Sequence, residues 1–150
     1  RLINAGADSV KLEGPKYDVI AHLVANGIAV VGHTGLTPQT ADNFKKVGVI
    51  EKDAKRIIEE AVTIEKSGAF MFVLEHIPSD LAASITACVK IPTIGIGAGP
   101  ACDGQVLVIN DAIGLGDYWP PFSKQYSQAS QIIFEVAASF FKEVKQREFP

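Results

Sequence analysis

Five short apolar runs punctuate the chain, at Ser9–Leu12, Ala29–Val31, Ala69–Leu74, Thr93–Ile96 and Val106–Ile109. Most are continuous in hydrophobicity instead of alternating, the pattern of strands buried on both faces of a parallel sheet. Between them, apolar residues return at helical spacing. Tyr17, Ile20, Leu23 and Val24 mark a first helix, with Gly27 as its stop. Ala54, Ile57, Ile58, Ala61 and Val62 mark a second, with Lys55, Arg56, Glu59 and Glu60 as a solvated face and Gly68 at its end. Ser79 or Asp80 is placed to cap a third, which carries Leu81, Ile85, Cys88 and Val89. Ile132, Ile133, Val136, Phe140, Phe141 and Val144 stripe a long terminal helix. Alternating strands and helices predict an α/β fold with a parallel sheet and right-handed crossovers, either an open doubly wound sheet or a barrel. Gly114–Ser123 reads as a loop, because Pro120 and Pro121 exclude a helix interior. Trp119 and Phe122 within it either cover one end of the sheet or simply pack.

The polar residues change this picture, because they collect after the strands. The first run ends VKLEG, placing Lys11 and Glu13; the second leads to GHTGLTP, placing His33; the third ends FVLEHIP, placing Glu75 and His76; the fourth ends GIGAGP. In parallel α/β folds, sites lie at the C-terminal ends of the strands. Lys11 and Glu13 are two apart and point the same way. Such a pair neutralises itself, binds a metal or holds an anion. His33 lies between two glycines, which marks tight backbone near a ligand or turn. His76 reads as a packing or surface residue. GIGAGP fails as a dinucleotide fingerprint, because Pro100 stands where the last glycine belongs and another strand soon follows. Gly95, Gly97 and Gly99 instead allow close approach of a ligand or a neighbouring strand. Carboxylates suit Mg²⁺, and a further, buried carboxylate can act as a general base.

Composition narrows the classes. The chain has 150 residues, 47% hydrophobic and 21% charged, an ordinary globular balance. A net charge of -3 leaves no electrostatic footprint for nucleic acid or an anionic membrane. The longest apolar runs, such as Ala69–Leu74, are too short to span a bilayer. Cys88 and Cys102 lack metal or disulfide-framework spacing and read as small buried residues. Nothing resembles a signal peptide, so a cytoplasmic location is expected. The chain opens at Arg1, inside structure, as a piece of a longer protein would.

KLEG, GHTGLTPQ, VLEHIP and PTIGIGAGPACDGQVLV, in that order and spacing, resemble the ketopantoate hydroxymethyltransferase (3-methyl-2-oxobutanoate hydroxymethyltransferase) family. The resemblance runs to the closing EFP. It implies a (β/α)8 TIM-type barrel, of which residues 1–150 are the C-terminal portion of the single catalytic domain, about the last five β/α units. It implies transfer of a one-carbon unit from the co-substrate 5,10-methylenetetrahydrofolate to the 2-oxo acid 3-methyl-2-oxobutanoate, giving 2-dehydropantoate on the route to pantothenate and coenzyme A. Mg²⁺ would chelate the 2-oxo acid. Glu13 matches a metal ligand, Lys11 a substrate contact, His33 a pocket position that contacts substrate, and Glu75 the proton acceptor. Family members assemble as rings, so a homo-oligomer is expected. This sequence lacks the first three barrel strands, which in the family bring two metal-binding aspartates and an adjacent serine. Its NFKKVGVIEKD loop also lacks the family's VQG run, and the acidic, histidine-bearing tail beyond EFP is absent. Two alternatives stand beside this reading. One is another metal-dependent 2-oxo acid lyase or mutase of the same superfamily, against which GLTPQ and GIGAG argue. The other is a truncated, inactive module that only binds or assembles through its exposed sheet edges.

Overall fold

The computed structural model describes all residues, 1–150. Contacts divide them into two compact units, Arg1–Val106 and Leu107–Pro150.

The first unit is a parallel sheet with helices along it. A 3₁₀ turn at Ile3–Ala5 leads to β1 (Ser9–Lys11), α1 (Tyr17–Ala25), β2 (Ala29–Gly35), α2 (Glu51–Lys66), β3 (Met71–Glu75), α3 (Ser79–Cys88), β4 (Thr93–Ile96) and β5 (Gly104–Gln105). All neighbouring strands are parallel, in the order β1-β2-β3-β4-β5. The order never reverses. That is the order of consecutive β/α units in a barrel, and no switch point of a doubly wound sheet falls among these five strands.

Register sorts the side chains into two faces. Lys11 pairs with Val31, His33 with Val73, Gly35 with Glu75, and Glu75 with Ile96. Alternation then puts Lys11, Val31, His33, Met71, Val73, Glu75, Ile94 and Ile96 on one face. Val30, Gly32, Thr34, Phe72, Leu74 and Thr93 lie on the other. The second face meets the helices. Val30, Phe72 and Leu74 pack with Ile20 of α1, Ile57, Ala61 and Ile64 of α2, and Ala82 and Ile85 of α3 into one core from which water is excluded. Gly32 is part of that packing, since a Cβ there would collide with the Ile64 side chain.

The other face is only partly covered: Val31, Met71, Val73 and Ile94 are half-buried. The expectation of strands buried on both faces therefore holds for the helix side of β2 to β4, and on the other face for His33 and Ile96. The continuous apolar runs hide this asymmetry because the half-buried positions are apolar too.

Three further expectations are corrected. The last strand is Gly104–Gln105, not Val106–Ile109, and Ile109 opens a helix. Only the Val106 N–H, donating to Gly95 O at 3.0 Å, carries pairing into the apolar run. Neither Ser79 nor Asp80 caps α3: Pro78 occupies the cap position and no side chain bonds there. Cys88 is exposed, and Cys102 is only half-buried, packed against the edge of the core.

The second unit holds α4 (Ile109–Ile113) and α5 (Ala129–Gln146), with residues 115–128 as connecting loop. The loop is tied locally. Tyr126 N–H donates to Ala112 O at 2.7 Å, and Gly116 N–H to Ser130 Oγ at 2.9 Å. α5 carries the apolar stripe expected of the terminal helix, and none of its residues is buried. Phe149 meets Phe140 edge-to-face, centroids 5.0 Å apart. No helix of the chain is long and apolar enough to cross a membrane.

Candidate functional site

The half-covered face gathers all four residues singled out from the sequence. Lys11 ends β1, and Glu13 follows two residues later, where the Leu12 and Gly14 N–H groups still bond to Val31 O and His33 O of β2 (3.0 and 3.1 Å). This continued pairing carries Glu13 up the same face as Lys11. Lys11 Nζ lies 3.4 Å from Glu13 Oε1, and the other Glu13 oxygen accepts the Gln39 N–H at 3.1 Å. The loop after β2 thus folds over Glu13, a contact that no spacing rule in the sequence signals.

His33 lies at the middle of this face and is fully buried. Its Nε2 is 2.5 Å from Leu36 O. A carbonyl only accepts, so Nε2 carries the proton and Nδ1 is a lone-pair acceptor, buried without a hydrogen-bond partner. Burial pushes the imidazole pKa below its usual value; Leu36 O opposes this, Lys11 adds to it and Glu13 opposes it. His33 is therefore a neutral ring that braces the turn after β2.

Glu75 ends β3. Its carboxyl is pushed up to about 7, first by burial, with Lys11 lowering it and Glu13 raising it. One Glu75 oxygen lies 3.7 Å from His33 Nε2. That contact has the geometry of an ion pair, yet burial raises the acid's pKa and lowers the imidazole's, the reverse of what mutual ion pairing does. The imidazole proton is committed to Leu36 O. The two groups are neighbours without being a charge pair, and Glu75 is left with its oxygens available.

Gly35 fixes the position of Glu75. It faces Glu75 across the sheet with φ +97°, where an L side chain is strained, and a Cβ would run into the Glu75 carbonyl. The chain turns there, and Leu36 N–H donates to Glu75 O at 2.8 Å. On the far side His76 N–H donates to Ile96 O at 2.9 Å. His76 has φ +49° and is buried, which selects packing from the two readings, packing or surface.

One network was missed in the sequence. Glu60, assigned to a solvated face, receives the Thr34 hydroxyl on one oxygen and Arg56 on the other, both at 2.5 Å. It links α2 to the helix side of β2, directly behind His33. A cavity of about 430 Å³ lies at this end of the sheet, lined by Gly14, Gly35, Thr37, Asn43, Arg56 and Glu60 among others. A larger one, about 550 Å³, lies between α2 and α3, and neither cavity is lined by Lys11, Glu13, His33 or Glu75.

A divalent cation needs several oxygen ligands. Glu13 is the acid of the set beside Lys11, and no group of three His, Cys, Asp or Glu side chains converges anywhere in the chain. These residues alone do not make a metal site.

Comparison with known proteins names the family. The ketopantoate hydroxymethyltransferase family model matches residues 1–150. The 3-methyl-2-oxobutanoate hydroxymethyltransferase of Rippkaea orientalis is 49% identical over 154 residues, covering 99% of this chain and 60% of that protein. That of Acaryochloris marina is 46% identical, over 99% of this chain and 60% of the relative. The Pyrobaculum calidifontis protein of the same name is 44% identical, over 100% of this chain and 58% of the relative. The chain thus spans about 60% of the length of the curated relatives it matches. It belongs to the ketopantoate hydroxymethyltransferase family.

Proposed function

We propose that this chain supplies the proton-abstracting part of a ketopantoate hydroxymethyltransferase, acting within a (β/α)8 barrel. The observation that carries this is Glu75: a half-buried carboxyl at a strand end, with a pKa of about 7, 3.7 Å from a His33 ring whose Nε2 proton goes to Leu36 O. A base poised near neutrality is what abstraction of a weakly acidic C–H needs. The substrate would be 3-methyl-2-oxobutanoate, whose C3 proton lies beside a ketone. Glu75 takes that proton, and the electron pair moves into the carbonyl as an enolate. The enolate carbon bonds to the methylene carbon of 5,10-methylenetetrahydrofolate and water adds the hydroxyl oxygen of 2-dehydropantoate to it; both of that carbon's C–N bonds break, and tetrahydrofolate leaves with one proton from the water and the one Glu75 had taken.

The neighbouring residues divide the remaining work. Lys11 offers a cation to the 2-oxo acid's carboxylate. His33, fully buried, holds the turn that positions Glu75, and so serves the substrate pocket from behind. Mg²⁺, when bound, would polarise the 2-oxo group. Glu13 alone does not fit such an ion, so no step here is assigned to it.

The test uses the full-length protein that contains this chain. Solvent deuterium exchange at C3 of 3-methyl-2-oxobutanoate, followed by proton NMR without folate, reads the base directly. Glu75→Gln is expected to slow exchange by about 10²–10⁴ while oxo acid binding persists. Exchange at the wild-type rate in that variant would remove Glu75 from the role.

A further inference from the structure

Parallel neighbours are usually joined by a crossover of a dozen or more residues, most often a helix. β4 and β5 are joined by Gly97–Asp103 alone. This strap must run from the C-terminal end of β4 back to its beginning and take the place of a helix. Ala98, fully buried in the core, shows that it does so.

Two side chains of one short stretch hold its ends. At the lower end, Asp103 Oδ2 accepts the Thr93 N–H at 2.8 Å and the Thr93 hydroxyl at 3.0 Å. The Asp103 N–H donates back to Thr93 Oγ1 at 3.3 Å, and Thr93 is fully buried. At the upper end, Gln105 Nε2 donates to Gly99 O at 3.0 Å. Gln105 is level with Gly95 across the sheet, and a Cβ on Gly95 would lie 2.9 Å from Gln105 Oε1 and 3.0 Å from Nε2. The missing side chain of Gly95 is the space the carboxamide occupies. Gly99, at φ +81°, leaves no room for a Cβ against Ser79 at the start of α3.

The strap begins beside the candidate base. Gly97 follows Ile96, which pairs with Glu75 and accepts the His76 N–H. We propose that Asp103 and Gln105 are positioning residues that fix the strap at both ends and thereby hold the Gly97–Gly99 turn in place beside Glu75. This gives the CDGQ motif a task distinct from contact with substrate. The kinetic consequence rests on the function proposed above; the structural one does not.

The full-length enzyme carrying Gln105→Met keeps the side-chain bulk and loses the donor. Amide hydrogen exchange of Gly97–Gly99 is expected to accelerate roughly tenfold, the loss of one hydrogen bond. Amides of β2 and β3 should be unchanged. In turnover, kcat should fall by a similar factor with KM for the oxo acid unchanged. Gly95→Ala, whose Cβ would also lie 3.0 Å from Cys102 Sγ, should reproduce this by displacing the carboxamide. Asp103→Asn, which keeps an acceptor for Thr93, should retain activity that Asp103→Ala loses. The proposal is overturned by unchanged strap exchange in Gln105→Met, by equal acceleration in β2 and β3, or by a freed strap with unaltered kcat. An inactive wild-type enzyme would count against the proposed reaction, and the exchange measurements would still decide the strap.

Discussion

The two faces of the β1–β5 sheet are built from alternate residues of the same strands, yet they obey different rules. On the helix face Val30, Phe72 and Leu74 are fully buried, and Gly32 is small because Ile64 fills its place. On the other face Val31, Met71, Val73 and Ile94 are half-buried, and Lys11, Glu13 and Glu75 retain access to solvent. The first face supplies cohesion, and the second carries the titratable groups on which the proposed chemistry rests. Phe72 and Glu75 sit on one short strand, so substitutions there separate the two roles most sharply.

The largest contrast is between activity and stability. Glu75→Gln should lower kcat by about 10²–10⁴ and leave the melting temperature at neutral pH unchanged or higher. Phe72→Ala should do the reverse, removing about 3–5 kcal/mol of stability, read from denaturant unfolding, with residual activity tracking the folded fraction. An unstable Glu75→Gln or a stable Phe72→Ala would erase the distinction between the faces.

The open face should also show in pH dependence. Glu75 has a folded-state pKa raised from 4.5 to about 7, so the native state binds more protons than the unfolded state between those values. Its contribution to stability is then most favourable below 4.5 and declines as pH rises towards 7. Activity runs the opposite way, since the base must be ionised, and falls as pH drops through about 7. Glu75→Gln should abolish the stability slope over that window, measured by thermal melts at successive pH values.

On the closed face, Gly32→Ala should cost about 1–3 kcal/mol, because a methyl group driven against Ile64 overpacks a filled core. Unfolding midpoints would read this. A neutral result would mean that α2 can lift off the sheet, contrary to the packing of Ile64.

The sequence made the layers and the location of the chemistry legible, and it did so for physical reasons. Helix stripes such as Ile57 and Ala61 are regular because one side of each helix is sealed, and Glu75 stands out because a carboxylate directly follows a buried strand. What stayed illegible depended on contacts distant in sequence. Val31, Val73 and Ile94 are apolar whether covered or open, so continuous hydrophobicity could not tell the faces apart. β5 was placed too late because Gly104 and Gln105 lack apolar side chains; their pairing is set by Asp103 on Thr93 and by the space at Gly95. Glu60 has the spacing of a solvent-facing residue, and only the approach of β2 gives it Thr34.

α2 carries the smallest-scale form of the same contrast. It has two acid–base pairs at the same helical spacing, Glu51 with Lys55 and Glu60 with Arg56. The first is solvent on both sides, with side chains 82% and 69% exposed; the Glu60 side chain is 12% exposed and also receives the Thr34 hydroxyl. In water the two charges of an exposed pair are screened, and ordering two long side chains offsets much of their attraction. Near the sheet, Glu60 has lost most of its water, so a missing partner is replaced by nothing. Thr34→Val should therefore cost about 1–3 kcal/mol, whereas Lys55→Ala should change stability by no more than about 0.5 kcal/mol. Denaturant unfolding of both variants checks the ratio. Equal effects would show that the spacing along the helix, and not the sheet behind it, determines what each pair contributes.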